Sequence, residues 1–197
     1  LNVDNVVLNG NDKMLTCTAT GQHGAIDVTA DNVTIQNIKI NSEKNYGVQF
    51  YNVTGGKLSK VNITGGKYTS VFVNASGDIT IEDSTLNPTA NPYYAAIEYG
   101  MGSGDNLKLP GKLTIDDVSG NNPITIWTDK ASTNAMISKS DSGYTADNVA
   151  DKISQNIVNE NSGSITINVA VEKDGETSTE TTTKPGTGSS SSGGGGG

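Results

Sequence analysis

The segment Asp31–Ile40, DNVTIQNIKI, contains a break in an otherwise regular strand pattern. Val33 and Ile35 alternate with polar residues, as expected of a strand with one buried face. Asn37 is polar where the alternation requires an apolar residue, and the apolar positions resume one residue later at Ile38. A strand cannot absorb this shift and keep the same face buried, because successive side chains point to opposite faces. The segment therefore predicts a strand that bends at Asn37.

The same shift recurs at Lys60, Asp83 and Asp117. From Asn37 onward the successive spacings are 23, 23 and 34 residues, the last being one repeat plus an insertion of eleven. A unit of this length with one straight and one bent strand is typical of one rung of a parallel β-helix, in which like positions stack. Asn and Asp tolerate the left-handed backbone that such a bend requires, whereas Lys60 predicts local strain or a different bend. The straight strands are predicted in GAIDVT, GVQFYN, TSVFVN, AAIEYG and PITIWT.

The segments NVTIQNIKI (32–40) and VVLNGNDKMLT (6–16) resemble the right-handed parallel β-helix proteins of the pectin-lyase-like superfamily, over Val6 to Thr128. The resemblance implies an all-β solenoid and favours a non-catalytic bacterial surface-type member. The superfamily includes polysaccharide lyases, glycoside hydrolases, phage tailspikes and surface proteins without known catalysis, so the fold alone does not select a function. In its enzymes the active groove lies on the outer face of a parallel sheet.

The C-terminal third predicts a cap followed by a linker. Apolar residues at helical spacing predict a helix at about 145–159, and alternation in SITINVAV predicts a strand at about 164–171. Together they would cap a β-helix domain of residues 1–173, with a small separate subdomain as the alternative. Residues 174–197 contain only Thr, Ser, Gly, Lys, Pro and acidic residues. They predict a disordered linker to further domains of the same chain.

Composition narrows the possible partners and the location. The formal net charge is −8, and all thirteen cationic residues are lysines, so nucleic acid is not expected as a partner. Cys17 is the only cysteine, which rules out an internal disulfide. No apolar run approaches the ~18 residues of a membrane span. The Thr-, Ser-, Pro- and Gly-rich composition of residues 174–197 is typical of extracellular proteins, whether secreted or attached to the cell surface.

Residues with catalytic chemistry are few. Asp27 and Glu98 fall on one outward row of the straight strands but three rungs apart, about 14 Å. Glycosidases need two carboxyls within about 5–9.5 Å, so hydrolysis is not expected. His23, the only histidine, lies between glycines and predicts an exposed turn residue without a fixed partner.

A calcium-dependent polysaccharide lyase acting on an acidic polysaccharide is the alternative function. The absence of arginine excludes lyases that neutralise the uronate with arginine, but lysine and Ca²⁺ could replace it. Glu82 and Asp116 share an outward position on neighbouring rungs, where mutual repulsion favours a cation. Lys112 is the nearest lysine in the sequence. No cofactor other than this possible Ca²⁺ is predicted, and its candidate ligands are Glu82, Asp83, Asp116 and Asp117.

The leading prediction is a non-catalytic extracellular module that acts as a spacer, an adhesin or a glycan-contacting surface. Aromatic side chains that point outward from a sheet can stack on sugar rings, although aromatic residues are also ordinary strand formers. Two loops, 87–94 and 100–111, hold the extra residues of the long rung and are expected to flank a binding face. The candidate ligand-binding residues for a polysaccharide or a cell-surface glycan are Tyr51, Phe72, Tyr93, Tyr94 and Trp127.

Overall fold

The chain folds into a parallel β-solenoid of about four turns. The structure, a computed structural model, describes residues 1–88, 95–120 and 124–188. Each rung contributes one strand to each of two sheets. The bent sheet contains β1 (Val7–Cys17), β3 (Val33–Ser42), β5 (Thr54–Gly65), β7 (Gly77–Asn87), β9 (Leu113–Gly120) and β11 (Ile157–Asn159). The straight sheet contains β2 (Gly24–Val28), β4 (Tyr46–Tyr51), β6 (Val71–Asn74), β8 (Ile97–Gly100), β10 (Thr125–Thr128), β12 (Ile165–Lys173) and β13 (Glu176–Lys184), and the helices are α1 (Lys130–Ser138) and α2 (Val149–Asn156).

The core is a stack of aliphatic tiers between the two sheets. In the bent sheet Ile35 pairs with Leu58, Leu58 with Ile81, and Ile81 with Ile115, all in parallel register. All four side chains are fully buried. The predicted repeat is therefore confirmed, because equivalent residues of successive rungs lie directly above one another. The straight sheet stacks in the same way, through Val48, Val71, Ile97 and Ile126.

Each bend in the bent sheet is one residue in the left-handed conformation. Asn37, Lys60, Asp83 and Asp117 have φ values of 50°, 54°, 47° and 51°. Of the two expectations for Lys60, the different bend is wrong, because Lys60 adopts the same left-handed conformation as the other bend residues. Its apolar neighbours in the same strand must face the core on both sides of the bend, and only a left-handed residue between them allows this.

Polar side chains hydrogen-bond to backbone groups at the bends. Ser84 Oγ accepts a hydrogen bond from the Val61 N–H of the preceding rung at 3.1 Å and donates one to the Glu82 carbonyl at 2.6 Å. On the last rung the Asn161 side chain accepts from the Val118 N–H at 2.8 Å and donates to the Val118 carbonyl at 3.1 Å. These contacts satisfy buried backbone groups where the strand changes direction.

The segment predicted as a cap forms a further rung, interrupted by helices. β11 pairs in parallel with β9, and β12 pairs in parallel with β10, so neither strand belongs to a separate subdomain. The helix expected over 145–159 is shorter, because Ile157 stacks on Leu113 as the first residue of β11. Helix α1 was not predicted. It begins after Asp129, whose side chain accepts a hydrogen bond from the Ser132 N–H.

The prediction of a disordered linker from residue 174 is wrong as far as residue 188. Asp174 and Gly175 both have positive φ, 53° and 79°, as a two-residue hairpin turn requires. The turn returns the chain as β13, which pairs antiparallel with all of β12. After β13, the Thr187 and Gly188 N–H groups each donate to carbonyls near the end of β11 at 3.1 Å. The predicted linker residues 189–197 lie outside the described residues.

The two ends of the solenoid differ in their apolar exposure. β13 covers the C-terminal edge of the straight sheet, whereas none of the described residues pairs with the outer edge of β1. The first rung leaves several aliphatic side chains exposed. These side chains are Leu1, Val3, Val7, Met14 and Leu15. Within the described part of the chain, no helix is both long and apolar enough to cross a membrane.

Candidate functional site

The outer face of the straight sheet presents two rows of side chains along the solenoid axis. The strand register brings Asp27, Gln49, Phe72 and Glu98 into one row, which confirms that Asp27 and Glu98 are three rungs apart. The second row contains Tyr51, Asn74 and Gly100. The face is covered over the later rungs and open over the earlier ones.

Aromatic packing covers the first row beyond Gln49. The Tyr46 ring lies 4.8 Å from the Phe72 ring, at an interplanar angle of 42°, and 6.3 Å from the Tyr68 ring. Phe72 does point outward, as predicted, but Tyr46 covers it, and only 8% of Phe72 is exposed. The expectation that Phe72 offers a free aromatic surface is therefore wrong. The cause is a neighbouring tyrosine on the adjacent strand.

Helix α1 covers the second row beyond Asn74. A Cβ atom at Gly100 would collide with Ser132 Oγ, so the helix approaches the sheet as closely as a glycine permits. Ser132 Oγ also accepts a hydrogen bond from the Met101 N–H at 3.2 Å. The open part of the face therefore ends at Asn74.

The open part is a groove of about 630 Å³. Tyr51, whose exposed fraction is 40%, lies at its surface and pairs in register with Asn74. Polar side chains and tyrosines dominate the lining, a composition that suits a ligand carrying both hydroxyl groups and flat apolar faces. The lining residues are Gln22, His23, Asp27, Thr29, Asn45, Tyr46, Gln49, Tyr51, Tyr68 and Asn74.

A hydrogen-bonded series of side chains, here called the amide relay, runs through the groove from Asp27 to Gln49 to Asn74. Asp27 Oδ1 accepts from the Gly24 N–H at 2.9 Å and from Gln49 Nε2 at 3.2 Å. Gln49 Oε1 accepts from Asn74 Nδ2 at 3.4 Å. Asn74 Oδ1 is buried and has no hydrogen-bond partner, and only 8% of Asn74 is exposed. Leaving a buried acceptor unpaired costs about 1–3 kcal/mol.

His23 stands at the start of the groove. Its side chain is 63% exposed and its φ is 77°, which confirms an exposed turn residue. The expectation that it lacks a fixed partner is wrong, since its Nδ1 lies 3.4 Å from Gln49 Nε2 and 3.9 Å from Asp27 Oδ2. Gln49 Nε2 is a donor, so this contact requires Nδ1 to be the unprotonated ring nitrogen.

Glu98 is the most strongly perturbed acid near the groove. It is 6% exposed, and burial is the main reason that its pKa rises to about 7. The nearby Asp129 carboxylate raises this pKa further, and a hydrogen bond with Tyr46 opposes the increase. Burial and the adjacent Glu98 also raise the pKa of the Tyr46 hydroxyl. Alternation in the sequence placed Glu98 on the outer face, but it predicted neither the burial of Glu98 nor the proximity of Asp129. Asp129 is the residue that caps the N-terminus of α1, a helix that was not predicted.

The four predicted calcium ligands lie on the bent sheet, away from the groove. Glu82 and Asp116 are neighbours in register, as predicted, while Asp83 and Asp117 are the left-handed bend residues. Lys57, which the sequence analysis did not consider, lies 3.1 Å from Glu82 Oε1, and hydrogen bonding to it lowers the pKa of Glu82. Among the described residues, no group of three or more His, Cys, Asp or Glu side chains is placed so that it could hold a metal ion.

Trp127 and the long loop after β8 do not contribute to the groove. Trp127 is half-buried on β10 and does not line the groove, and Tyr93 and Tyr94 lie outside the described residues. The loop after β8 packs along the solenoid: the Lys108 N–H donates to Asn52 Oδ1 at 2.9 Å, and Asn52 Nδ2 donates to the Asn106 carbonyl at 3.4 Å. Of the five aromatic residues predicted, the structure places Tyr51 at the groove.

Comparison of the chain with protein-family models, with curated proteins and with solved structures gave no match. The functional argument therefore depends on the groove itself.

Proposed function

We propose that this chain is a non-catalytic module that binds glycans through the groove on the outer face of its straight sheet. The observation that carries the proposal is the combination of an exposed tyrosine with the amide relay in one groove. Sugar rings present flat apolar faces bordered by hydroxyl groups, and tyrosines and amide side chains complement these two features.

The arrangement of Tyr51 and Asn74 supports this proposal. The two residues are direct neighbours on adjacent parallel strands, which lie about 4.8 Å apart. A sugar stacked on the Tyr51 ring would therefore bring its hydroxyl groups within reach of Asn74. Tyr51, rather than Phe72 or Trp127, is the aromatic residue that we expect to contact the ligand.

The proposal includes a setting for the module. It would be a bacterial surface-type member of the pectin-lyase-like superfamily, located outside the cell, that serves as an adhesin or as a rigid spacer with a glycan-contacting face. The parallel solenoid supports the spacer role because each rung extends the molecule along one axis. Ser-, Thr- and Gly-rich composition is the support for an extracellular location.

Substitution of Tyr51 tests the glycan-binding proposal. Screening of the native protein on a glycan array, followed by titration of the best ligand, should show that Tyr51→Ala weakens binding about tenfold, because the stacking surface is lost. Met14→Ala is the matched control, since Met14 is exposed but lies on β1, outside the groove. Equal affinities of native protein and Tyr51→Ala for every bound glycan would contradict the proposed site.

A lyase reaction remains the alternative, and the pairing of Glu82 with Asp116 on neighbouring strands is the observation behind it. Ultraviolet absorbance of unsaturated products, measured on polygalacturonate or alginate with added Ca²⁺, tests this alternative. We expect no sustained increase in absorbance. Turnover that Asp116→Asn abolishes would replace the binding proposal with the enzymatic one.

A further inference from the structure

The amide relay has a fixed direction. The Asp27 carboxylate can only accept hydrogen bonds, so the Gln49 amide must turn its nitrogen toward Asp27. This orientation directs Gln49 Oε1 toward Asn74, which must in turn present its nitrogen. The Asn74 oxygen is therefore the atom left at the end of the relay. Reversing either amide would place two acceptors against each other, which the charge on Asp27 makes unfavourable.

Gln49 has little remaining capacity for a ligand. Its nitrogen contacts both Asp27 Oδ1 and His23 Nδ1, and its oxygen accepts from Asn74. Two acceptors therefore remain on residues that line the groove: Asp27 Oδ2, and Asn74 Oδ1, which is buried and unpartnered. Because buried polar atoms are nearly always paired, Asn74 Oδ1 identifies a position for a donor group from outside the protein.

The charge of the groove opposes anionic ligands. Asp27 is its only acidic residue, and among the described residues that line it there is no lysine. The chain has no arginine and carries a formal net charge of −8. A uronate would bring further acceptors and a further negative charge to a surface that already presents both.

We infer that the groove takes a neutral, hydroxyl-rich glycan, whose hydroxyl groups donate to Asn74 Oδ1 and Asp27 Oδ2, and that it rejects polyuronates. This inference rests on the proposed function and specifies the chemical class of its ligand. It also assigns Asp27 a positioning role through Gln49, in addition to its own contact with the ligand.

Paired polysaccharides that differ mainly in charge test the inference. Affinity electrophoresis and calorimetry with hydroxyethyl cellulose and galactomannan, against carboxymethyl cellulose and polygalacturonate, should show binding to at least one neutral polymer and none to the acidic polymers. Because no ion pair forms, added salt should change the affinity less than twofold. Binding to the acidic polymers alone would overturn the inference and leave the glycan-binding proposal standing, whereas binding to none of the four, together with a blank glycan array, would overturn both.

Three variants separate the relay from general charge effects. With the neutral polymer that binds best, Asp27→Asn and Asn74→Ala should each weaken binding about tenfold. Asp116→Asn makes the same charge change as Asp27→Asn on the bent sheet and should leave affinity unchanged. Thermal unfolding of each variant checks that it is folded. If well-folded Asp27→Asn and Asn74→Ala proteins bind like Asp116→Asn, the inference is wrong.

Discussion

Lys60 shows how strongly the stacked core controls a single residue. It adopts the same left-handed backbone as Asn37, Asp83 and Asp117, although a lysine has no short polar side chain to favour that conformation. The alternation of apolar residues predicted the position of each bend. It did not predict that Lys60 would adopt the same geometry, because intrinsic preference is weaker than the requirement to bury Leu58 and Val61 together.

Replacement of Lys60 by asparagine should stabilise the protein. Asparagine tolerates positive φ better than lysine, so we expect Lys60→Asn to raise the free energy of unfolding by about 0.5–1 kcal/mol in denaturant titrations. Lys39→Asn is the control, because Lys39 is also exposed on the bent sheet but is not among the positive-φ residues. A loss of stability in Lys60→Asn equal to that in Lys39→Asn would contradict the explanation of the bend.

Glu98 should make stability depend on pH. Its pKa rises from an ordinary value of 4.5 to about 7 in the folded protein, so the folded state holds the proton more tightly than the unfolded state. The stability it contributes is fully present below about pH 4.5 and is lost as the pH rises to about 7. The expected loss is about 3 kcal/mol, and Asp129 and Tyr46 are the titratable groups that act on Glu98.

Comparison with Glu98→Gln isolates this effect. Unfolding free energies measured at intervals from pH 4 to pH 8 should decline more steeply in the native protein than in Glu98→Gln, which keeps the shape but not the charge. Parallel pH profiles for the two proteins would show that Glu98 does not titrate as described. Sequence analysis could not anticipate this behaviour, because the burial of Glu98 depends on Tyr46, a residue 52 positions earlier in the chain.

At the scale of elements, the β12–β13 hairpin shows what a search for apolar residues overlooks. Asp174–Gly175 is a strong two-residue turn signal between two alternating segments. β13 has no apolar side chain, so its composition resembles that of a linker. Its stability comes from backbone pairing along β12 and from contacts such as Thr181 Oγ1 to Asn168 Oδ1 at 2.8 Å. Threonine is common in strands because its β-branched side chain fits a pleated, half-exposed sheet surface.

Removal of this hairpin should be destabilising. Deletion of residues 174–197 exposes the edge of β12, and we expect a clear decrease in melting temperature by calorimetry. Gly175→Ala should destabilise by about 1 kcal/mol, because its φ of 79° is strained for alanine. Gly163→Ala is the matched control, since a Cβ atom there meets nothing within 4 Å. An unchanged melting temperature after the deletion would favour the linker interpretation.

For the whole molecule, the 23-residue repeat in the sequence was enough to predict most of the architecture. The tier from Ile35 to Ile115, the two sheets and the insertion in the long rung all follow from the spacing of apolar residues. The last rung was less predictable, because α1 and α2 interrupt its repeat between β10 and β11. Alternation placed Asp27 and Tyr51 on the outer face, but it could not show that Phe72 would be covered. The amide relay depends on which polar residues lie side by side on adjacent strands. The strand register shows this, because it places Asp27 next to Gln49.

The position of the ligand on the molecule tests the central functional claim most directly. Nuclear magnetic resonance spectra of isotope-labelled protein, recorded while a neutral oligosaccharide is added, report each amide separately. We predict that the side-chain amide signals of Gln49 and Asn74 and the backbone signals around Tyr51 shift together, while those of the bent sheet do not. Shifts confined to the bent sheet around Glu82 and Asp116 would contradict the account.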